Sequence, residues 1–280
     1  MSRSLPDGRP VVTQAMIESG LREVGLDAGA VVVAHSALRS FGWVEEGEDA
    51  VIDALIAGVG PMGTVCMPAL SYGDYGPRRP PPPFDPRATP GIVGRIPERF
   101  RGRPGVRRSL HPTHSLAAFG ARAEELLKGH ERSPTPCGPD SPWGRIARAG
   151  GHVLMLGVGT FYCTMFHGPE EEVEPDARCT RPVPCRIVTE AGERTVYLRL
   201  HQSYEGAVSD RAAMEGVLEA EGLLRRTRVG NSTLLLIDAQ GLWDLSLRLL
   251  RARPARAVDN LWVKVRHDFR RIVSDLRRAL

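Results

Sequence analysis

Lysine is almost absent from this sequence of 280 residues, so the basic net charge comes almost entirely from arginine. Only Lys128 and Lys264 are lysines among 37 basic residues, and the formal net charge is +4. The arginines that supply the remaining charge are scattered among 33 acidic residues and form no basic run. This mixture is typical of a solvated surface, so we expect no nucleic-acid partner.

Paired cysteines and long apolar runs are also missing. The five cysteines include no CxxC pair, so the sequence predicts neither a disulfide framework nor a zinc finger. No apolar run approaches the roughly 20 residues that a membrane-spanning helix needs. The first residues, MSRSLPDGRPVV, lack the apolar core of a signal peptide. We therefore expect a cytoplasmic protein with no membrane partner.

Two widespread site motifs are absent as well. No GxSxG occurs, which disfavours a serine hydrolase of the nucleophile-elbow type. The GVG at 157–159 has no third glycine at the required spacing, so it predicts no dinucleotide site.

Short β-branched runs alternate with segments of helical periodicity along most of the chain. The predicted strands are 31–36, 63–69, 115–120, 152–159, 183–188, 195–200 and 232–238. The predicted helices are 13–25, 48–59, 91–100, 123–129, 142–150, 209–223 and a segment that continues from 238 to 251. Pro97 could break the helix in which it lies. The alternation predicts a layered α/β fold, and the even composition favours one domain over residues 1–255.

The last segment of the chain has a different pattern. Apolar residues from Leu261 to Leu280 recur every three or four positions, with arginines between them. This spacing predicts an amphipathic helix. We expect this extension, residues 256–280, to pack on the core or on a second copy of the chain, which leaves a homodimer open.

Two loop segments carry groups that suit ligand binding. The segment 71–91 is rich in proline, and a loop of this length inside a compact domain is usually functional. HSALRSFG at 35–42 follows a predicted strand, where backbone N–H groups can meet an anion, although an ordinary turn fits equally well.

A third segment, RRSLHPTHS at 107–115, combines arginines, histidines and hydroxyls. His111 and His114 are three residues apart, but Pro112 disfavours a helix that presents both, and no third ligand is nearby. We therefore expect no metal here, and arginine beside hydroxyls suits a phosphate-bearing ligand instead. We expect His35, this segment and His167 to meet in one cleft.

His167 follows the strand predicted at 152–159 and precedes five carboxylates, Glu170, Glu171, Glu172, Glu174 and Asp176. Ligands of α/β sheets bind at the carboxyl ends of strands. One helical turn would bring Glu170 beside the imidazole, where a carboxylate fixes the tautomer and raises the basicity of the other ring nitrogen. A structural histidine followed by a solvated acidic turn is equally compatible with these residues.

Taken in order, the segments resemble the aminoglycoside 3-N-acetyltransferase family, the antibiotic N-acetyltransferases that are distinct from the GNAT superfamily. The resemblance is carried by HSALRSFG, GTVCMPALS, FDPRATPGIVGRIPERF, PGVRRSLHPTHSLAAFG, TPCGPDSPWGR and GVGTFYCTMFHGPEE. RVGNSTLLLIDAQGL is similar to the C-terminal element of the family, so the resemblance extends from about residue 12 to about residue 250. It implies a three-layer α/β/α fold with a central mixed sheet.

The resemblance also implies a reaction, the transfer of an acetyl group from acetyl-CoA to a small-molecule amine without a metal. His167 would be the general base and Glu170 the carboxylate that orients it. Along the coenzyme the resemblance places Ser36, Ala37, Leu38, His111, Thr113, His114 and Ser115. Acidic residues near the mouth would hold a polycationic substrate, an aminoglycoside, and we expect these to be Glu171, Glu172, Glu174 and Asp74.

Two rival functions and one chemical alternative are compatible with the sequence. The protein could acetylate a biosynthetic amine, or it could bind CoA without catalysis. Cys163 lies four residues before His167, where the family commonly has asparagine, and a thiol there could be a nucleophile. The resemblance favours direct transfer without an acyl-enzyme.

Overall fold

The computed structural model describes residues 3–202 and 211–252. Its strands are β1 Val11–Val12, β2 Val31–Ser36, β3 Trp43–Val44, β4 Thr64–Pro68, β5 Arg107–Arg108, β6 Leu116–Gly120, β7 His152–Leu156, β8 Val183–Thr189, β9 Gly192–Leu198, β10 Leu224–Val229 and β11 Ser232–Asp238. Its helices are α1 Gln14–Glu23, α2 Glu48–Val59, α3 Arg95–Arg101, α4 Ala123–Leu127, α5 Pro142–Arg148, α6 His167–Val173, α7 Pro175–Arg178, α8 Met214–Ala220 and α9 Ala239–Arg251.

Seven of these strands form a central mixed sheet in the order β10-β11-β7-β2-β4-β6-β5. The three central strands β7, β2 and β4 run parallel, and His35 of β2 lies opposite Met155 of β7. Strands β11 and β6 pair antiparallel on either side of this centre. Parallel strands are buried on both faces, which explains why the central strands are nearly continuous apolar runs.

Helices cover both faces of the sheet, because successive side chains of a strand point to opposite faces. Val31 and Val33 of β2 pack into a core with Trp143 of α5 and residues of α9. The alternate residues of β2 pack into a second core with α1, α2 and α3. The α/β class, with a central mixed sheet flanked by helices, is therefore confirmed.

Most of the predicted elements occur close to their expected positions. Strand β2 and helix α2 have the bounds that the sequence predicts, and β11 runs directly into α9. Strand β10 was missed, because exposed arginines interrupt the apolar residues of LRRTRV. The break considered at Pro97 is wrong, since α3 begins at Arg95 and the proline lies in the first turn, where no intrahelical N–H is needed.

Strands β8 and β9 form a separate antiparallel hairpin with its own small core. Phe84, from the proline-rich loop, pairs with Ile187 of β8, so part of that loop extends the hairpin. Cys179 and His201 form an isolated antiparallel bridge just before β8 and just after β9. This bridge brings His201 towards the segment that contains α6 and α7.

The predicted C-terminal helix in residues 256–280 lies outside the described residues, and the division at residue 255 stays a prediction. Over residues 3–202 and 211–252, no helix combines the length and the apolar character needed to cross a membrane.

Candidate active site

His167 is positioned by a glycine turn and by helix α6. Gly157 follows β7 with a φ of +69°, and a Cβ at this position would overlap Ser40 Oγ, so a larger residue does not fit. Two short 3₁₀ turns then lead to His167, which begins α6 at the carboxyl end of β7. Pro169 falls in the first turn of the helix and does not interrupt it.

Arg211 lies against both His167 and Glu170. Its Nη2 is 3.0 Å from His167 Nδ1 and donates to Glu170 Oε2 at 3.1 Å. The direct distance from Nδ1 to Glu170 Oε2 is 3.5 Å. Nη1 of the same guanidinium lies 3.4 Å from His167 Nε2, so Arg211 faces both ring nitrogens. The carboxylate is thus one helical turn from the imidazole, as expected, but the guanidinium engages both groups.

Further histidines surround His167. The ring of His201 lies 3.8 Å from that of His167, centroid to centroid, and the ring of His114 lies 6.1 Å away. His111 continues the cluster at 6.2 Å from His114, and His130 lies 4.8 Å from His111. The 111–115 segment and His167 therefore lie together, as the sequence predicts.

His35 has a different neighbourhood. Its ring stacks on Trp143 at 6.3 Å, and across residues 3–202 and 211–252 no ring contact joins it to the histidine cluster. Burial lowers the pKa of His35 to about 4, so the ring is neutral at physiological pH. The expectation that His35 opens onto the same cleft stays a prediction.

Burial lowers the pKa of His111, His114, His130 and His167 below the ordinary value for histidine. For His167 burial is the main cause, and nearby His201 and Arg211 lower the pKa further. Burial also lowers the pKa of His114, and it lowers that of His130 to about 3. These rings are neutral near pH 7, which is the state in which a general base can accept a proton.

The HPTHS segment forms a tight turn held by its own side chains. His111 Nδ1 accepts from the N–H groups of Thr113, at 3.3 Å, and of His114, at 3.1 Å. Thr113 Oγ1 lies 3.0 Å from His114 Nδ1, and Ser115 Oγ donates to Ala69 O at 2.8 Å. The segment predicted to line the coenzyme is therefore rigid and lies next to His167.

The side chain of Arg108 is used for hydrogen bonds inside the protein. Its guanidinium donates to Ala69 O at 2.5 Å and to Thr89 O, and it lies over the ring of Phe84. Burial lowers the pKa of Arg108 to about 10. Arg107, by contrast, is largely exposed in a surface ion pair. Of the two arginines that suggested a phosphate ligand, Arg107 is therefore the one that solvent reaches.

The turn after β2 contains the other three residues predicted for the coenzyme. The Ala37 N–H donates to Leu156 O at 2.9 Å, so this amide is engaged inside the sheet. Leu38 begins a 3₁₀ turn. Ser36 Oγ is buried and has no hydrogen-bond partner among the described residues. The polar group that this turn leaves unpaired is thus a hydroxyl.

Glu171, the second carboxylate after His167, is fully buried. Its Oε1 accepts a hydrogen bond from His201 Nδ1 at 2.8 Å, and its Oε2 accepts from the Cys137 N–H at 2.6 Å. This carboxylate therefore fixes the ring of His201, which lies against that of His167.

The remaining predicted carboxylates have partners nearer the surface. Glu172 accepts from Trp243 Nε1 at 2.9 Å, and Glu174 pairs with Arg178 at 3.2 Å. Asp74, in the proline-rich loop, is 99% exposed. The sequence grouped these residues because they are neighbours along the chain or share a charge, but they point to different partners.

Cys163 lies in the apolar core close to α6. Its side chain is fully buried, and burial raises the pKa of the thiol to about 11. The thiol is therefore protonated at neutral pH, whereas a nucleophilic cysteine needs the thiolate.

Sequence reasoning missed His201 and Arg211, although both contact His167. Neither residue lies in a recognisable motif, and Arg211 is 44 positions away along the chain. No local periodicity or spacing could have connected them to the site.

The mixed sheet carries a buried histidine cluster at the carboxyl end of its parallel strands, the position at which α/β proteins place ligand sites. The chain matches the family model for aminoglycoside 3-N-acetyltransferases over residues 33–251. The protein belongs to this family, and the resemblance found in the sequence is confirmed.

Individual relatives cover most of the chain. It is 30% identical to aminoglycoside N(3)-acetyltransferase VIII of Streptomyces fradiae, with 88% of this chain and 94% of the relative covered. A solved structure, AAC-IIIb binary with CoASH, is similar with a TM-score of 0.77 at 30% identity, covering 86% and 96% of the two chains. AAC-VIa bound to sisomicin is similar with a TM-score of 0.73 at 28% identity, covering 87% and 98%.

Proposed function

We propose that this protein transfers the acetyl group of acetyl-CoA to an amino group of an aminoglycoside, at the 3-N position, with His167 as general base. Family membership supports the reaction. The similar structures of AAC-IIIb with CoASH and of AAC-VIa with sisomicin support the two substrates. The observation in this chain that carries the proposal is the buried, neutral imidazole of His167 held between Glu170 and Arg211.

The base is needed because an amine at neutral pH is mostly an ammonium ion and cannot attack a thioester. The ammonium group first loses one proton to solvent, which frees the lone pair of the nitrogen. His167 then accepts the second proton from the nitrogen as the lone pair adds to the acetyl carbonyl carbon. The new C–N bond then replaces the C–S bond, and the proton leaves with the CoA thiol. The transfer is direct, with no acyl-enzyme, which fits the buried and protonated thiol of Cys163.

The position of Arg211 means that a cationic acceptor can help to activate the base by displacing the guanidinium. The guanidinium contacts both groups, so it competes with a direct hydrogen bond from His167 Nδ1 to Glu170 Oε2. An acceptor ammonium group that displaces the guanidinium would let Glu170 Oε2, 3.5 Å away, accept a hydrogen bond from Nδ1–H. The proton of the neutral ring then lies on Nδ1, and the unprotonated Nε2 can act as the base.

The acidic residues contribute to acceptor binding in two different ways. Glu172 and Glu174 keep partly exposed carboxylates, and Asp74 is almost fully exposed, so these three attract a polycation by long-range charge. Glu171 is buried and acts through His201. Glutamine at Glu172, Glu174 and Asp74 should weaken polycation binding without changing CoA binding.

For the coenzyme, we place the pantetheine and phosphate groups along the turn after β2 and the HPTHS segment. The unpaired Ser36 Oγ supports this proposal, as does the closeness of Thr113 and His114 to His167. Because Arg108 is committed internally, we assign phosphate attraction to the exposed Arg107.

The decisive experiment is a thiol-release assay with acetyl-CoA and a panel of amines, including several aminoglycosides and several biosynthetic amines. Thiol release that requires an aminoglycoside, with a single added acetyl group located at the 3-N position by NMR, supports the proposal. Release only with other amines would identify a biosynthetic acetyltransferase. Calorimetric binding of acetyl-CoA with no release for any amine would identify a non-catalytic CoA-binding protein.

A further inference from the structure

Glu171, Cys179 and His201 form a compact group of three metal-ligating side chains behind the proposed base. A carboxylate oxygen, the thiol sulfur and an imidazole nitrogen lie within 4.8 Å of one another. Cys179 and His201 face each other across an antiparallel bridge, which puts their side chains on the same side, and Glu171 comes from α6. The reaction proposed above uses none of these three as a ligand.

The group is buried and partly preorganised. The side chains of Glu171 and His201 are 0% and 6% exposed, and Cys179 is 3% exposed. The Cys137 N–H holds one carboxylate oxygen of Glu171, so the other is directed at His201 Nδ1, 2.8 Å away. The backbone bridge fixes the spacing between Cys179 and His201.

We propose that Glu171, Cys179 and His201 bind a divalent transition-metal ion, and that Zn²⁺ is the ion they fit best. Nitrogen, sulfur and carboxylate oxygen are the ligands that zinc accepts in proteins, and three of them leave one tetrahedral position for water. In a tetrahedral zinc site such atoms lie about 3.3–3.7 Å apart. The widest separation therefore has to close by about an ångström, which rotation of the Cys179 side chain can supply. The 2.8 Å hydrogen bond between His201 Nδ1 and Glu171 Oε1 has to open by about half an ångström, with the ring proton moving to Nε2 as the ion binds Nδ1.

The charges around the site are compatible with a dication. Arg178 and Arg199 flank Cys179, but each is paired with a carboxylate, Glu174 and Asp176 respectively. Metal binding converts the Cys179 thiol into a thiolate and releases its proton to solvent. The thiolate and the Glu171 carboxylate together neutralise the two positive charges of the ion.

The position of the site suggests what the ion does. It connects α6, which carries His167, to the two segments that flank the β8–β9 hairpin. It also fixes the ring of His201, whose centroid lies 3.8 Å from that of His167. A metal bound here would therefore cross-link the β8–β9 hairpin to α6, the helix of the proposed base. Because it binds only the folded chain, it should stabilise the fold.

The test uses the metal-stripped full chain, titrated with Zn²⁺ by calorimetry and with Co²⁺ by absorption spectroscopy. We expect one Zn²⁺ per chain and about one proton released per ion, measured in buffers of different ionisation enthalpy. Co²⁺ should give a near-ultraviolet thiolate-to-cobalt charge-transfer band. Zn²⁺ should also raise the melting temperature of the wild-type chain.

Cys179→Ala should abolish the charge-transfer band and the zinc-dependent rise in melting temperature. The matched control is Cys185→Ala, which removes another buried free cysteine on β8 and should leave both signals intact. His201→Gln provides a second variant that should weaken Zn²⁺ binding. A wild-type chain that gives no thiolate-to-cobalt band, or a folded Cys179→Ala chain that binds Zn²⁺ like the wild type, would overturn the proposal.

Discussion

At the residue scale, the chemistry of the site depends on how the surroundings of His167 set its charge. Burial removes water from the imidazole, and the positive charge of Arg211 opposes a second positive charge beside it. Both effects lower the pKa of His167, so the ring is neutral and can accept a proton. Glu170 offers the negative charge that stabilises the imidazolium once it forms.

Replacing His167 by alanine tests this role most directly. We expect kcat to fall by about a hundredfold to ten-thousandfold, the usual contribution of a positioned general base. Calorimetric affinity for CoA should change little, because the imidazole acts on the acceptor. His152→Ala, at the start of β7, is the matched control and should keep its activity. An active His167→Ala enzyme would remove the histidine from the mechanism.

Arg211→Gln should move the pH profile of kcat/KM. Burial keeps the pKa of His167 low, and removing the guanidinium takes away a further lowering cause, so the pKa rises. A base works above its pKa, and the acid limb of the profile should therefore shift to higher pH. The KM for a polycationic acceptor should fall, because no internal cation competes with it. An unchanged profile would mean that Arg211 is only a structural contact.

Cys163→Ser should keep most of the wild-type activity. The thiol is buried with its pKa raised to about 11, so almost no thiolate exists at neutral pH. The measurement is kcat with acetyl-CoA and a responsive acceptor. Mass spectrometry of the wild-type enzyme mixed with acetyl-CoA alone provides the counter-test. Acetylated protein trapped there, or an inactive serine variant, would establish a ping-pong mechanism through Cys163.

At the element scale, the placement of His167 depends on how closely α6 packs against α9. Gly168 lies directly after the histidine, and a Cβ there would overlap the ring of Trp243 and come within 2.7 Å of Cys137 O. The absence of a side chain at this position lets the two helices approach. Glu172 adds a hydrogen bond to Trp243 Nε1, which holds the same pair of helices together.

Gly168→Ala should therefore destabilise the fold by about 1–3 kcal/mol, the usual cost of forcing extra volume into a packed contact. The free energy of unfolding in urea measures this effect. Gly216→Ala on α8 is the matched control, because a Cβ there meets nothing within 4 Å. That control should be stabilising by up to about 1 kcal/mol, since alanine favours a helix over glycine. Equal effects at both sites would contradict the close packing of α6 on α9.

At the scale of the whole molecule, the buried histidines make stability depend on pH. Burial lowers the pKa of His35 to about 4 and that of His130 to about 3, whereas an unfolded histidine titrates near pH 6.5. Between pH 6.5 and about 4 the unfolded chain therefore binds more protons than the folded chain. The free energy of unfolding must fall as the pH is lowered through this range.

Urea unfolding at pH 7 and pH 5 should show this loss, with about 2 kcal/mol from each of the two histidines. Arginines lower the pKa of carboxylates such as Asp49 and Glu98 by hydrogen bonding to them. The stability that these carboxylates contribute is therefore lost only at lower pH, as they become protonated. A variant without His130 should lose correspondingly less stability on acidification. A constant free energy of unfolding between pH 7 and pH 5 would contradict the buried, neutral state of these rings.

The sequence by itself determined the layered α/β class, the positions of most strands and helices, and the family. These features depend on local periodicity and on ordered motifs, which need no knowledge of distant contacts. The sequence also predicted that Glu170 lies one turn from His167, because a helix fixes that spacing.

Only the tertiary structure decided which groups surround the imidazole. Arg211 and His201 reach His167 from segments far along the chain, and the Ala37 N–H is engaged by a neighbouring strand. The acidic residues after His167 have different partners, because consecutive helical residues point in different directions. Glu171 contacts the buried His201, whereas Glu172 accepts from Trp243 nearer the surface. These contacts arise when sheet, hairpin and helices pack together, and no pattern within a single segment carries that information.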